Sequence, residues 1–286
     1  MRGTVALGPY LTGAIIISKT TLDSKLARVY VETFIMTVTT EPEALLSHLY
    51  KADGSATYSH AGYTVIGAVN GPIEAQKRDE LPEEAIVDVI VRPAAGVGGT
   101  RERHLESLLQ STLRQVILVN SFPRTLIQII LQITVTPENE YINGKLVQAN
   151  VNLPVLPALL QTAILSLLSA SLPMAATLTS TSLAIIQEDG RPHIVTNPTA
   201  RQVEQSKSFH VLAFTSQNEL ILAESEGAFT LKEWDDIYGA AYRKCCTTAS
   251  IGDTDTLMDE GTTGADLKRF TRSIIEQKTA SDLHWK

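Results

Sequence analysis

Apolar residues recur along this chain with two different periods, and the switch between them marks out the elements. From Ser55 to Pro72 the period is two. Val65, Gly67 and Val69 alternate with Ile66, Ala68 and Asn70, and Gly71-Pro72 closes the run, so the stretch reads as two strands. A short helix-like turn is expected just before it, at about Leu45 to Leu49. AIVDVIVRP is a third strand, ended by Pro93. After the loop AAGVGG, Leu105, Leu108, Leu109, Thr112, Leu113, Val116 and Ile117 follow the three-and-four spacing of one buried helix face. That helix is expected from Thr100, as N-cap, to about Val119, with Glu102 placed where the helix dipole favours an anion.

Beyond it, RTLIQIILQITV returns to a period of two. Thr125, Ile127, Ile129, Leu131, Ile133 and Val135 form one nearly apolar face, and Arg124, Leu126, Gln128, Ile130, Gln132 and Thr134 the other. A buried helix is expected at about Leu156 to Ser171, after Pro154 and with Pro157 in its first turn. AATLTSTSLAIIQ, HIVT, SKSFHVLAFTS and ELILAES are strands, with a turn at Gln217-Asn218. Helices follow at about Thr230 to Thr247 and Ala265 to Lys278. The order predicts an α+β (α/β-like) domain of mixed sheets with packed helices.

Orderly patterning begins at Met36, so residues 36–286 are expected to form the domain. Residues 1–35 read as an extension, or as a mistaken start ahead of Met36. The acidic, Gly-rich stretch at about 250–264 is expected to be a mobile loop. VALGPYLTGAIII loosely resembles a signal peptide, but Gly8 and Pro9 break its apolar core and no cleavage site follows. The longest apolar stretch, Leu153 to Met174, is interrupted by Pro154, Pro157, Gln161 and Pro173, and its unbroken apolar pieces are too short for a membrane span. No membrane association is expected.

The net charge of −7 carries no global basic field for nucleic acid, although a local basic strip is hidden in such a sum. The only two cysteines, Cys245 and Cys246, are adjacent, which suits neither a disulfide framework nor zinc. No cofactor and no metal are expected. His104, His193 and His210 have no serine or cysteine nucleophile partner in the pattern, and read as strand or helix-surface residues.

Three stretches together resemble the RNase PH family. They are ADGSA with GPIE between Ala52 and Glu74, IVRPAAGVGGTRERHLESLLQSTLRQVI, and PRTLIQIILQI. Within that family, GPIEAQKRDELPEEAIVDVIVRPAAGV is similar to ring subunits of the eukaryotic exosome of the ribosomal RNA processing protein forty-six type. The likeness spans about Leu45 to Thr248. It implies an RNase PH-like fold (ribosomal protein S5 domain 2-like).

Phosphorolysis of RNA needs phosphate held by guanidinium and backbone donors, and carboxylates that bind a metal or move a proton. By the resemblance, the two carboxylates of active members fall on Asn197 and Val203, an amide and a hydrocarbon. The phosphate-binding Gly-Gly-Thr-Arg falls on TPENEYINGKL, where Glu138 and Glu140 repel phosphate and no arginine stands. Gly98 to Arg101 does spell Gly-Gly-Thr-Arg, but after a different strand, and it reads as a loop with a helix cap. Between Arg191 and Val203 there is no carboxylate. Glu188 and Asp189 are the nearest, and a turn at Gly190 accounts for them.

The resemblance therefore implies a catalytically inactive exosome ring subunit. Its partners would be other RNase PH-like ring subunits, RNA-binding cap subunits and RNA in the central channel. It would serve 3′-to-5′ RNA processing and decay, including ribosomal RNA maturation, in nucleus, nucleolus and cytoplasm. Arg92, Arg101, Arg103 and Arg124 are the RNA-path candidates, against the alternative of solvated surface arginines. The competing expectation is an active phosphate-dependent 3′-to-5′ exoribonuclease.

Overall fold

The computed structural model describes residues 42–137, 153–188, 191–246 and 267–284, all within one unit, Val38–Lys286. The expected acidic loop, residues 1–35 and the segment with Glu138 and Glu140 lie outside the described residues. Two sheets carry the fold. The first has the order β1-β2-β3-β5-β4, from Glu43–Leu46 (β1), Gly54–His60 (β2), Tyr63–Glu74 (β3), Ile86–Arg92 (β4) and Thr125–Val135 (β5). The second has the order β7-β6-β8-β9, from Leu178–Glu188 (β6), Arg191–Thr196 (β7), Ser208–Thr215 (β8) and Leu220–Gly227 (β9). Among the described strands only β4 and β5 are parallel, and helix α1, Thr100–Val116, makes the crossover between them.

The period-two reading of β5 holds. Ile127, Ile129, Leu131 and Ile133 are buried, aligned with Val65, Gly67 and Val69 of β3. The expected helix-like turn at Leu45 to Leu49 does not form, because β1 pairs Glu43 to Leu46 with Ser59 to Ala56. A few isolated residues gain no stable helical hydrogen bonds, whereas a neighbouring strand supplies them at once. Leu46 then packs on the core and Leu45 points outward, 60% exposed. The N-cap of α1 is Gly99 and not Thr100. Glu102 Oε2 accepts the Gly99 N–H at 2.6 Å, leaving Thr100 as the first helical residue. The helix also stops early, since Ile117 is extended (ψ 137°) and forms a bridge with Met174.

Helix α2, Leu156–Ser169, lies between the sheets, and its most extensive contacts are with β2, β3 and β6. Twelve of its 14 residues are buried, which a helix apolar on all sides requires. Two of its hydroxyls are satisfied locally: Thr162 donates to the Ala158 carbonyl (2.7 Å) and Ser166 to that of Ala163 (2.9 Å). Gly67 lets β3 approach, since a Cβ there would meet Thr162 at 2.8 Å.

Helix α4, Leu231–Cys246, covers the other face of the second sheet, where Leu183, Ile185, Leu212 and Phe214 pack on Ile237, Ala241 and Cys245. Helix α5, Leu267–Asp282, is fastened to α2 at two heights. Gln161 Nε2 donates to Thr271 Oγ1 (2.7 Å), and Lys278 Nζ to the Ser169 carbonyl (2.6 Å). At the sheet edge, α1 bonds β4 directly: the Val91 N–H donates to Glu106, and Gln110 donates to the Val87 carbonyl.

Candidate functional site

The stretch Arg191 to Gln205 runs out along β7, turns sharply and enters a short helix, α3, Ala200–Gln205. Sequence reading missed α3, whose six residues are too few to show a period. Its signal was Thr199 with Gln202 three residues on. Gln202 Oε1 accepts from both the N–H (2.9 Å) and the hydroxyl (3.1 Å) of Thr199.

Asn197 stands at the turn with a φ of 51°, in the left-handed region that asparagine tolerates better than most residues. Its N–H donates to the Ser182 carbonyl (2.9 Å), and its Oδ1 accepts from Thr181 Oγ1 (3.4 Å). Its Nδ2 lies 3.4 Å from His60 Nε2 at the end of β2. The β2–β3 hairpin turns through Ala61 and Gly62, both at positive φ, and so brings His60 of the first sheet against Asn197 of the second. Val203 is half-buried and packs on the main core. The two degenerate positions are therefore a bridging amide and a packing side chain.

His60 is strongly perturbed at this junction. Burial, with a smaller contribution from the charge of Lys244, holds its pKa down to about 4. At neutral pH the ring is uncharged, so Nε2 can accept from the asparagine amide. Burial also lowers the pKa of Lys244 itself. Thr179 Oγ1 reaches the Cys245 carbonyl at 3.5 Å, and Thr181 is two residues along the same face of β6. That spacing sets the end of α4 about 7 Å from the Thr181–Asn197 contact. Neither Lys244 nor His60 was singled out in the sequence. They come from elements 184 positions apart, and only the fold joins them.

The four arginines do not form one track. Arg92 ends β4, opposite Gln132 of β5, and is exposed; Arg103 is exposed in the first turn of α1, and Arg101 beside it is half-buried. Arg124 precedes β5 at the other end of the sheet, eight residues or about 26 Å from Gln132. There it pairs with Glu80 at 3.2 Å. At Gly98 to Arg101, the Glu102 carboxylate already takes the Gly99 N–H that an anion would need.

Of the other histidines, His104 and His193 are exposed, but His210 is fully buried, with Ser225 Oγ 2.8 Å from Nδ1 and Ser208 Oγ 3.0 Å from Nε2. Among the described residues no group of three or more His, Cys, Asp or Glu is placed to hold a metal. No described helix is long and apolar enough to cross a membrane.

The two-sheet frame, with α2 between the sheets and the Asn197 turn at their junction, has relatives. The model of the RNase PH 3′ exoribonuclease family, domain 1, matches residues 43–187. The chain belongs to the RNase PH family. It is 32% identical to the Saccharomyces cerevisiae protein named exosome complex component RRP46, over 71% of this chain and 89% of that protein. Among solved structures it resembles rice Rrp46, with a TM-score of 0.59 at 22% identity, covering 70% of this chain and 86% of the other. It also resembles a chain of the Archaeoglobus fulgidus exosome with RNA bound to the active site. There the TM-score is 0.55 at 13% identity, with coverage of 71% and 84%. The fold is therefore RNase PH-like, with mixed sheets and packed helices, as the sequence led us to expect.

Proposed function

We propose that this chain is a non-catalytic ring subunit of an RNA exosome. The observation that carries the reading is Asn197. Where catalysis requires a charged carboxylate, this chain has an amide whose polar atoms already face Thr181 and His60. Val203, at the second position, has only hydrocarbon to offer. The similarity to a protein named as an exosome component, across 89% of that protein's length, supports the assembly.

In this reading the chain forms one wall of a channel, beside other RNase PH-like subunits and beneath RNA-binding caps. RNA passes through for 3′-to-5′ processing and decay, including ribosomal RNA maturation, in the nucleus, nucleolus and cytoplasm. Arg92 and Arg103, exposed together at one end of the first sheet, are the residues best placed to touch RNA phosphates without reading sequence.

The test is native mass spectrometry of the complex that the tagged chain brings from its own host, followed by a phosphate-dependent RNA decay assay of the purified chain. One copy among several different RNase PH-like chains, with no release of nucleoside diphosphates by the chain alone, is the expected result. A ring of this chain alone that consumes phosphate overturns the reading and makes the chain an active exoribonuclease.

A further inference from the structure

The second sheet ends in two unlike edges. β7 carries Pro192, which has no N–H to offer a further strand. β9 runs for 8 residues without a proline, and among the described residues no strand pairs with its outer side. Its side chains divide by face. Glu224 and Glu226 stand opposite Val211 and Phe209, whereas Ala223 and Ser225 stand opposite Leu212 and His210, on the side of α4. Glu226 is exposed and Glu224 half-buried, and among the described residues neither has an ion-pair partner.

Helix α4 packs chiefly on β6 and β8, and Ala223 of β9 is left exposed. Trp234, Tyr238 and Tyr242, four residues apart, share one flank of that helix. Trp234 lies against His210, and both tyrosines against Phe214, so the flank is on the β8–β9 side. The two tyrosine rings stack with their centroids 6.3 Å apart, and each residue is 37% exposed.

These features fix the chemistry of an occupant. The main-chain groups of an open edge are satisfied by an added strand. Side chains of such a strand alternate, so one set meets Glu224 and Glu226 and the other lies over Ala223 toward the tyrosines. The first set has to be cationic and the second apolar. The surrounding charge agrees: between Glu219 and Tyr242 six residues are acidic and only Lys232 is basic. Two β9 edges paired with each other would set these glutamates against their like, and RNA would meet the same repulsion.

We propose that the β9 edge, flanked by Tyr238 and Tyr242, docks an extended segment of another protein in which basic and apolar residues alternate. The segment adds as a further strand to the second sheet. β8 and β6 separate this edge from the Asn197 turn, so the docking is independent of any chemistry there.

The experiment uses the full-length chain and a labelled synthetic peptide of about ten alternating arginines and valines, at about 0.15 M salt. Fluorescence anisotropy should show saturable binding, and amide hydrogen exchange should slow in β9 more than in β7. Glu224→Lys combined with Glu226→Lys should weaken binding about tenfold or more. Asp79→Lys combined with Glu83→Lys makes the same charge change in the exposed loop after β3 and should weaken it far less. A peptide with a proline in place of its central valine should bind poorly. No saturable binding, equal loss in the two double variants, or equal affinity for the proline peptide overturns the proposal. Should the Glu224 and Glu226 variant fail to fold, exchange in the wild-type chain decides, and β9 amides that gain no protection from the peptide overturn it. Protection of β9 that grows with protein concentration alone would assign the edge to a second copy, and displacement of the peptide by an oligoribonucleotide would assign it to RNA. Either result also overturns the proposal.

Discussion

Gly54 of β2 lies so close to Ala170, at the end of α2, that a Cβ built on it would stand 2.4 Å from the Ala170 nitrogen. It would stand equally close to the Ser166 carbonyl oxygen. Both are backbone atoms, so no side chain can move aside. Gly54→Ala should therefore cost about 2 kcal/mol or more of stability by forcing β2 off the helix. Gly239, inside α4, has nothing within 4 Å of such a Cβ, and Gly239→Ala should be neutral or stabilising by up to about 1 kcal/mol. Urea unfolding of the two variants gives the comparison. Equal effects would mean that the β2–α2 contact is not tight.

The hold of α5 on α2 is testable through Lys278. Its ammonium sits at the C-terminal end of α2, within reach of the carbonyl (2.6 Å) and hydroxyl (3.2 Å) of Ser169. Lys278→Met should destabilise the chain by about 1–2 kcal/mol. It should also speed amide hydrogen exchange in α5 more than in α4. A uniform change across both helices would mean that α5 is not held separately.

Asn197 combines a positive φ with two side-chain contacts. Asn197→Ala should cost about 1–2 kcal/mol, from the left-handed backbone and the unpartnered Thr181 hydroxyl. Asn197→Asp should be tolerated better and should raise the His60 titration midpoint, because a carboxylate favours the imidazolium. Phosphate-dependent release of nucleoside diphosphates should stay at background, since Val203 still provides no second carboxylate. Measurable phosphorolysis by Asn197→Asp alone would show that one charge suffices.

Acid should weaken this protein well above the range where carboxylates titrate. Burial holds both His60 and His210 at a pKa of about 4, against 6.5 in the unfolded chain. The unfolded state thus binds protons first as the pH falls, and stability is lost between about pH 6.5 and 4. Glu233, held down to about 2 chiefly by its hydrogen bond from Lys207, adds a loss only below about pH 4.5. Urea midpoints at about pH 7, 5.5 and 4.5 should fall in turn. A flat profile down to about pH 5 would mean that both rings are solvated.

Much of the frame was legible because buried strands and helices write their period into the sequence. The β5 face, the α1 stripe and the all-apolar α2 were all readable in this way. What was not legible has a common cause. Four residues at Glu43 to Leu46 carry too little pattern to distinguish strand from turn, and their state is decided by β2 pairing beside them. The six residues of α3 show the same limit. At the site, Asn197 and Val203 were reached through the family likeness. His60 and Lys244 were not, since a histidine ending a strand and a lysine late in a helix look ordinary until the hairpin and α4 converge. The Arg92 to Arg124 set shows the converse. Four arginines near one another in sequence are divided by the length of a parallel strand pair.

The side chains of Glu106 and Gln110, bonded to the main chain of β4, give the first sheet a direction. At that margin the Val91 N–H and the Val87 carbonyl are already taken, so an incoming strand would have to displace the helix side chains to continue the ladder there. Any lengthening of the sheet by another polypeptide without that displacement has to occur beyond β1. The sheet is thus terminated on one side by its own helix, and a strand exchanged between copies of this chain would meet a stop at β4.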